Sequence, residues 1–263
     1  MKRTVIIFTK VPEIGFVKTR LAKTSILNDS EVTTIAKAML MDTILLSSES
    51  DIEIICVGYY PEEKKHLLLE LINPLKSEIN KDITFNLILQ AGKNFDERFH
   101  SVVKSAIEDG YSHLVVLGAD LPYLHPKYLN MTFKLLERNN SQNVVIGPAG
   151  GGGIYLVGIS YKFNPDWIIN YQLFRGGVEI SQFVQLAELM NLKFDLLPPL
   201  IDIDIDEDLV SLLSFIELMS ISHYKNYYHF PKYTAKIIQD LKLSIERKSK
   251  NTRMRSIKKY EPD

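Results

Sequence analysis

Short apolar runs rich in β-branched residues alternate along the chain with amphipathic stretches, and this alternation constrains the fold more than any other feature. Some runs, such as Leu-Val-Val-Leu at residues 114–117, are apolar throughout, which is typical of strands covered on both faces. The pattern predicts strands at residues 4–9, 53–58, 84–89, 113–118, 144–148, 154–159 and 193–197. It predicts helices at residues 28–46, 95–109, 126–138, 180–191 and 207–219. Strands that alternate with helices indicate an α/β fold with a mixed, mainly parallel sheet and helices on both faces.

The C-terminal part of the chain has a different composition. Aromatic residues crowd around Pro231, and a helix predicted at residues 232–246 leads into a basic tail. Between Arg247 and Asp263 there are seven basic and two acidic residues. The total length of 263 residues fits one large domain or two small ones. We therefore expect one domain over residues 1–222 and an appended helical extension over residues 223–263, with a frayed and solvated end.

Charge and cysteine content exclude several classes of protein. The net charge is −1, which is not typical of a domain that binds nucleic acid. Cys56 is the only cysteine, so an internal disulfide and a zinc site built from cysteines are excluded. The first apolar run ends at Lys10, and no stretch approaches the ~20 apolar residues that span a bilayer. We expect a cytoplasmic protein that has no membrane partner.

The loop after the first predicted strand carries three cations. Lys10, Lys18 and Arg20 lie within eleven residues, and Pro12 and Gly15 indicate a shaped loop. Such a loop can hold a polyphosphate with backbone amides and fixed positive charge, and an exposed basic loop without a ligand is the alternative. The segment is not a Walker loop, because the glycines of that motif are missing.

Two acidic segments are candidates for a metal site. Asp120 directly follows a buried predicted strand, where it can ligate Mg²⁺ through one oxygen or cap a turn. Asp and Ile then alternate late in the chain, which predicts Asp202, Asp204 and Asp206 on one side of an extended segment. One of Asp202 and Asp204 is a candidate second ligand, and Asp206 is expected to cap the helix that follows.

Four consecutive glycines, Gly150, Gly151, Gly152 and Gly153, precede another predicted strand. Ordering them costs backbone entropy, which favours a place where the backbone closely approaches a ligand, with a flexible hairpin loop as the alternative. No G-x-G-x-x-G opens a helix there, so the segment is not a dinucleotide-binding fingerprint. The histidines show no metal or triad spacing, and Cys56 is expected to be inert core.

The order of these motifs is more specific than any one of them. The chain contains K-x-P-x-x-G-x-V-K-T-R-L at residues 10–21, Gln90 with Glu97-Arg98, G-x-D-x-P-x-L at residues 118–124, Gly-Pro at 147–148 with G-G-x-Y-L-x-G at 152–158, and D-x-D-x-x-E-D-L at 202–209. Over residues 4–215 this order resembles the radical-SAM/selenodomain-associated transferase 1 family, a branch of the GT-A-like nucleotide-diphospho-sugar transferase superfamily. More distantly, it resembles the 2-phospho-L-lactate (phosphoenolpyruvate) guanylyltransferases.

The chain departs from both families at the glycine run. Gly151 stands where transferase 1 proteins usually have an acidic residue before their paired glycines. Ile154-Tyr155 stands where the guanylyltransferases have Thr-Asn. The resemblance therefore implies least about the part of the site that would contact the acceptor.

The resemblance implies a three-layer, Rossmann-like (GT-A-like) domain that binds a nucleotide and Mg²⁺ or Mn²⁺. Asp120 would be the first metal ligand, followed by Asp204 and then Asp202. Lys18 and Arg20 would bind the leaving pyrophosphate. The other implied nucleotide-binding positions are Lys10, Gly15, Thr19, Arg98, Gly150, Gly151, Gly152 and Gly153.

Three functions follow as expectations. The first is a Mg²⁺-dependent nucleotidyltransferase, in which an oxygen of a small phosphorylated or carboxylated acceptor attacks the α-phosphorus of a nucleoside triphosphate. An ionised phosphate acceptor needs no general base, which agrees with the missing catalytic histidine, and Gly151 stands where the acid expected for glycosyl transfer would lie. The alternative is glycosyl transfer from a nucleotide sugar to a hydroxyl acceptor, which requires a base. The third is a non-catalytic nucleotide-binding module that recruits a partner through its C-terminal helix. The sequence leaves a homodimer open.

Overall fold

The computed structural model describes residues 2–138, 143–175, 177–222, 227–247 and 255–260. The strands are β1 (Arg3–Lys10), β2 (Ile54–Tyr60), β3 (Thr84–Leu89), β4 (His113–Leu117), β5 (Asn143–Pro148), β6 (Ile154–Ser160), β7 (Lys193–Leu196), β8 (Leu243–Arg247) and β9 (Arg255–Lys259). The helices are α1 (Thr19–Thr24), α2 (Asp29–Ser48), α3 (Lys65–Leu75), α4 (Phe95–Glu108), α5 (Pro126–Leu136), α6 (Asp166–Asn170), α7 (Glu179–Met190), α8 (Asp206–Ile221) and α9 (Lys232–Asp240).

The seven strands β1 to β7 form one mixed sheet in the order β3-β2-β1-β4-β6-β5-β7. All neighbouring strands are parallel except at β6, which runs antiparallel to both β4 and β5. The predicted α/β fold with a mainly parallel sheet is confirmed. Because β1 and β4 are parallel neighbours, the loops that follow them lie together at one edge of the sheet.

Helices cover both faces of this sheet. Alternate residues of β1 point to opposite faces, as the two-residue period of a strand requires. Val5 and Ile7 face a core built with α2, α3, α5 and α8, whereas Ile6 faces a second core built with α4, α6 and α7. Cys56 is fully buried in that second core, where burial raises the pKa of its thiol to about 12, so its predicted place in the core is confirmed.

The long helix α2 begins where the sequence predicts it. The side chain of Asn28 accepts a hydrogen bond from the backbone N–H of Glu31, and the Glu31 carboxylate accepts one from the backbone N–H of Asn28. The short helices α1 and α6 and the helix α3 were not predicted, because two are too short to show a period and α3 carries Pro74 near its end. No helix in the described part of the chain is long and apolar enough to cross a membrane.

The helix predicted at residues 232–246 is too long. Helix α9 ends at Asp240, and Lys242 adopts a left-handed backbone conformation that reverses the chain. Residues 243–247 then form β8, which pairs with β9 in antiparallel register so that Ile245 lies opposite Ile257. The prediction of a frayed end is therefore wrong for residues 255–260, and the rest of that tail lies outside the described residues.

A buried carboxylate joins α9 to the main domain. Asp42 of α2 accepts hydrogen bonds from the backbone N–H groups of Tyr233 and Thr234, the first turn of α9, at 3.0 and 2.7 Å. Burial raises the pKa of Asp42 to about 6, and these hydrogen bonds and the charge of Lys232 oppose the rise. The charged form of Asp42 is thus less favourable in the folded protein than in the unfolded chain.

This carboxylate predicts a specific pH dependence of stability. A raised pKa means that the folded protein binds the proton of Asp42 more tightly, so the free energy of unfolding should fall as the pH rises from 4 through 6. From pH 4 to 7 we expect Asp42 to account for a loss of about 2–3 kcal/mol. Urea titrations of the wild type and of Asp42→Asn across this range measure it. If the free energy of unfolding depends on pH equally in both proteins, Asp42 is not the source of the pH dependence.

Candidate active site

Two adjoining cavities open at the carboxyl ends of β1 and β4. The larger cleft has a volume of about 980 Å³ and reaches from these strand ends to the glycine run. The smaller one, about 400 Å³, lies under the loop that connects β1 to α1, and we call it the basic pocket. Five residues line both cavities and form the boundary between them: Phe8, Arg20, Phe95, Asp120 and Asp204.

Lys18 and Asp120 form an ion pair at this boundary. The Lys18 ammonium lies 2.5 Å from Asp120 Oδ1 and donates a hydrogen bond to the carbonyl oxygen of Ile203, also at 2.5 Å. The Lys18 side chain is only 8% exposed, whereas that of Asp120 is 44% exposed. The lysine therefore contacts the carboxylate from the protein interior, and part of the carboxylate stays open to the cavities. The backbone N–H of Ile203 donates to the carbonyl oxygen of Asp120 at 3.0 Å. Three loops that are far apart in sequence therefore meet here.

Arg20 and Asp204 form a second ion pair. Arg20 Nη1 lies 2.7 Å from Asp204 Oδ2, and this hydrogen bond, together with the Asp204 charge, raises the pKa of the guanidinium. The Asp208 carboxylate accepts hydrogen bonds from the backbone N–H groups of Asp204 and Ile205, both at 2.9 Å. Asp208, which was not predicted as a site residue, thereby fixes the backbone of the acidic segment at the start of α8.

The acidic segment does not place its three aspartates on one side. Asp202 and Asp204 line the larger cleft, but Asp206 is the first residue of α8 and is 2% exposed. Its carboxylate accepts a hydrogen bond from the backbone N–H of Ile257 in β9 at 3.4 Å. The predicted cap at Asp206 is wrong, because the extended segment ends at Ile205 and Asp208 caps the helix instead.

Asp202 lies between the cleft and the core. Burial raises the pKa of its carboxyl, the nearby negative charge of Asp120 raises it further, and Lys18 opposes the rise. A carboxylate in this position is stabilised by additional positive charge.

The basic pocket combines cations with aromatic rings. Lys10, Lys18, Arg20 and Arg98 line it, together with Thr19. The Lys10 ammonium lies 4.8 Å from the centre of the Phe16 ring, and the Arg98 guanidinium lies 4.8 Å from that of Tyr60. This pocket can hold an anion and stack a planar group.

Two further residues shape this pocket. Gln90 is 4% exposed, and its amide donates to the carbonyl oxygens of Thr9 and Gly58 at 2.8 and 2.7 Å, which ties β3 to β1 and β2. Gly15 has a positive φ of 75° and lines neither cavity, so its place is in the turn that brings Lys18 back to the strand ends.

The glycine run forms one wall of the larger cleft. Gly150, Gly151 and Gly153 line the cleft. A Cβ atom on Gly152 would lie 4.0 Å from the carbonyl oxygen of Gly177, so the run packs beside the segment that leads into α7. That segment brings Glu179, the first residue of α7, into the lining of the same cleft. Glu179 was missed from the sequence, because nothing in its local pattern differs from an ordinary helix start.

A cluster of phenylalanine rings forms another wall. Phe8, Phe95, Phe99 and Phe174 line the larger cleft, and their ring centres lie between 4.3 and 6.1 Å apart for the contacting pairs. Phe95 is 44% exposed, although it lies in this apolar cluster. In the sequence, Phe95 and Phe99 belong only to the apolar face of the helix predicted at residues 95–109.

The carboxylates fit a divalent cation whose remaining ligands come from a substrate and from water. Within the described residues no group of three His, Cys, Asp or Glu side chains forms a complete metal site. Mg²⁺, however, is usually bound by one or two carboxylates together with substrate phosphates and water. The half-exposed Asp120 side chain and the nearby Asp202 suit this arrangement.

The comparisons with known proteins agree with the fold. Residues 60–177, less than half of the chain, match a family described as "Uncharacterized protein conserved in bacteria (DUF2064)". The comparison with curated proteins gave no match.

Among solved structures, a protein described as a nucleotide-diphospho-sugar transferase from Desulfovibrio desulfuricans G20 superposes with a TM-score of 0.70, at 22% identity over 91% of this chain and 95% of that chain. A cytidylyltransferase from Leptospira borgpetersenii has a TM-score of 0.50 at 14% identity over 91% of this chain and 95% of that one. The 4-diphosphocytidyl-2C-methyl-D-erythritol synthase from Anaerococcus prevotii has a TM-score of 0.52 at 10% identity over 82% and 96%.

These similarities bear on the fold. The chain shares its α/β fold, with a mixed and mainly parallel sheet, with these transferase structures, so the expected fold class is confirmed. At identities this low the roles of single residues do not transfer, and they rest on the geometry of the two cavities.

Proposed function

We propose that this protein is a transferase that uses a nucleotide-activated donor, and that the donor is a nucleotide sugar whose glycosyl group passes to an acceptor hydroxyl. The observation that carries this proposal is the boundary at Arg20, Asp120 and Asp204, which belongs to both cavities. A nucleotide in the basic pocket would have its diphosphate at this boundary. The group beyond the diphosphate would then extend into the larger cleft, which has room for a sugar and an acceptor.

The reaction assigns a separate task to each charged side chain. The acceptor oxygen attacks the anomeric carbon, the bond from that carbon to the diphosphate oxygen breaks, and the nucleoside diphosphate leaves with the electron pair. Arg20, whose side chain is 77% exposed, can turn from Asp204 to the leaving phosphate. Buried Lys18 holds Asp120 in place.

The proton of the acceptor hydroxyl requires a base. Glu179 is the candidate for this role, because it lines the cleft next to the glycine run, in which Gly151 stands where transferase 1 proteins usually have an acidic residue. The sequence favoured nucleotidyl transfer because no acid was visible there. The folded chain brings an acid to the same wall from α7, which is why we place glycosyl transfer first.

The cation expected from the sequence also has a place in this proposal. Asp120, with Asp204 second and Asp202 third, would hold Mg²⁺ or Mn²⁺. When bound, the cation supplies charge neutralisation at the diphosphate. The basic pocket and Lys18 contribute positive charge to the same region without it.

Nucleotidyl transfer is the second candidate. Two of the similar structures are named as a cytidylyltransferase and a diphosphocytidyl-methylerythritol synthase, and the four cations of the basic pocket suit a triphosphate as well as a diphosphate. In that reaction pyrophosphate leaves, whereas in glycosyl transfer a nucleoside diphosphate leaves. The leaving group distinguishes the two reactions.

Thermal unfolding with Mg²⁺ against nucleotide sugars and nucleoside triphosphates tests the proposal. A ligand at 100 times its Kd adds about 2.7 kcal/mol, which should raise the midpoint by roughly 5–10 °C for a chain of this size. We expect a nucleotide sugar to give the larger shift and to release nucleoside diphosphate in the presence of acceptors. A shift with a triphosphate alone, followed by pyrophosphate release, would replace glycosyl transfer with nucleotidyl transfer.

A further inference from the structure

The charges of the two cavities differ in sign. The basic pocket is lined by four cations and by the two boundary carboxylates, Asp120 and Asp204. The larger cleft is lined by five carboxylates and one cation: Asp120, Glu179, Asp202, Asp204, Asp208 and Arg20. Anions are therefore favoured on one side of the boundary and opposed on the other.

Ion pairs do not remove this negative charge. Lys18 compensates Asp120 and Arg20 compensates Asp204. Within the described ranges, the carboxylates of Asp202, Asp208 and Glu179 form no ion pair. Three carboxylates of the cleft thus lack an ion-pair partner in the described part of the chain, and the charge of a donor diphosphate at the boundary would offset that of the cation proposed there.

The phenylalanine wall faces the same space. Phe174 contacts Phe99 at a ring-centre distance of 4.3 Å and Phe95 at 5.3 Å, and all three line the cleft. Phe95 keeps 44% of its surface exposed. Aromatic faces attract cations and the apolar faces of rings, and carboxylates beside them strengthen the attraction for cations.

We infer that the acceptor is a neutral or positively charged alcohol with an apolar ring face, and that phosphorylated and carboxylated acceptors bind more weakly. This inference rests on the proposed function and deepens it. The ring face of the acceptor lies against Phe95 and Phe174, and its hydroxyl groups lie toward Glu179 and the glycine run. It differs from the small anionic acceptor expected from the sequence, because that expectation came with nucleotidyl transfer, in which an ionised acceptor needs no base.

Phenyl β-D-glucoside and two relatives, each changed at a single carbon of the sugar, test the charge preference. Phenyl β-D-glucoside is neutral, phenyl β-D-glucosaminide carries an amine, and phenyl β-D-glucuronide carries a carboxylate. We expect calorimetric titration of the full chain at 0.15 M salt, without donor, to give dissociation constants at least about tenfold lower for the first two than for the glucuronide. Equal affinity for the glucuronide, or no binding of any probe, overturns the inference.

Two variants assign the preference to the cleft. Glu179→Gln should bind the glucuronide more tightly than the wild type does, so that the dissociation constants of the three probes differ less. In Phe174→Leu, which keeps an apolar side chain, all three probes should bind roughly two- to tenfold more weakly, with their order unchanged. Tyr161→Ala is the matched control, since Tyr161 is 50% exposed and follows β6 at the opposite edge of the sheet. Unchanged affinities in Phe174→Leu would also overturn the inference.

The two proposals fail separately. If a nucleotide sugar shifts the unfolding midpoint but the probes show no charge preference, the acceptor inference is wrong and the proposed function stands. If no nucleotide sugar binds but the dissociation constants of the probes differ as expected, the cleft has the inferred preference for neutral and cationic ring alcohols. The proposed donor is then wrong.

Discussion

Replacing Asp120 with asparagine is expected to lower turnover by about 10²- to 10³-fold under either transfer reaction. Asp120 is the carboxylate that lines both cavities and is presented by buried Lys18, so its charge lies where the donor phosphates would be. Asparagine keeps the shape and one oxygen but removes the charge. The measurement is kcat and KM for donor consumption at saturating Mg²⁺, together with the unfolding midpoint of each protein.

The control for this variant is Asp82→Asn. Asp82 is exposed and precedes β3 at the opposite edge of the sheet, so the same chemical change there should leave turnover as in the wild type. Because the Asp120 side chain is 44% exposed, we expect the variant to fold, and a midpoint close to that of the wild type would show this. Full activity in folded Asp120→Asn would remove Asp120 from the catalytic machinery.

The part of the site built from loops after parallel strands could be predicted from the sequence. Lys18 follows β1 and Asp120 follows β4, and the ends of buried parallel strands meet at one edge of a sheet. The sequence pattern therefore predicted that both residues lie at the same edge of the sheet. Their ion pair could not be predicted, because it depends on the left-handed backbone of Lys18 and on the carbonyl oxygen of Ile203.

The wall of the larger cleft that Glu179 and Phe174 form was not predicted, and the reason is physical. Phe174 lies in the segment between α6 and α7, and Glu179 is the first residue of α7, so neither position has a periodic signal. They enter the cleft because α7 packs beside the glycine run, which is a tertiary contact. Phe99 does have helical periodicity, but the period alone does not distinguish a core side chain from one that lines a cavity.

The C-terminal extension is connected to the site through hydrogen bonds. The backbone N–H of Ile257 donates to Asp206, and the backbone N–H of Asp206 donates to the Thr24 hydroxyl at 3.1 Å. That hydroxyl donates to the carbonyl oxygen of Arg20 at 3.0 Å. Strand β9, although its composition is that of a basic tail, thus holds both α1 and the acidic segment in place. Composition alone did not indicate this contact.

Replacing Ile257 with alanine should therefore destabilise the whole protein, by about 2–5 kcal/mol. Ile257 is fully buried, lies opposite Ile245 in the β8–β9 hairpin, and packs in the same core as α2 and α8. Alanine would leave a cavity between the hairpin and that core. The measurement is the free energy of unfolding from urea titration followed by circular dichroism.

Lys258→Ala is the matched control on the opposite, exposed face of the same strand, where we expect a change within about 0.5 kcal/mol. If Ile257→Ala proves as stable as Lys258→Ala, the hairpin does not contribute to the core in solution. A destabilised Ile257→Ala that unfolds in a single transition would instead show that hairpin and sheet unfold together. The residues beyond 222 would then belong to the cooperative unit that holds Arg20 and Asp204 in place.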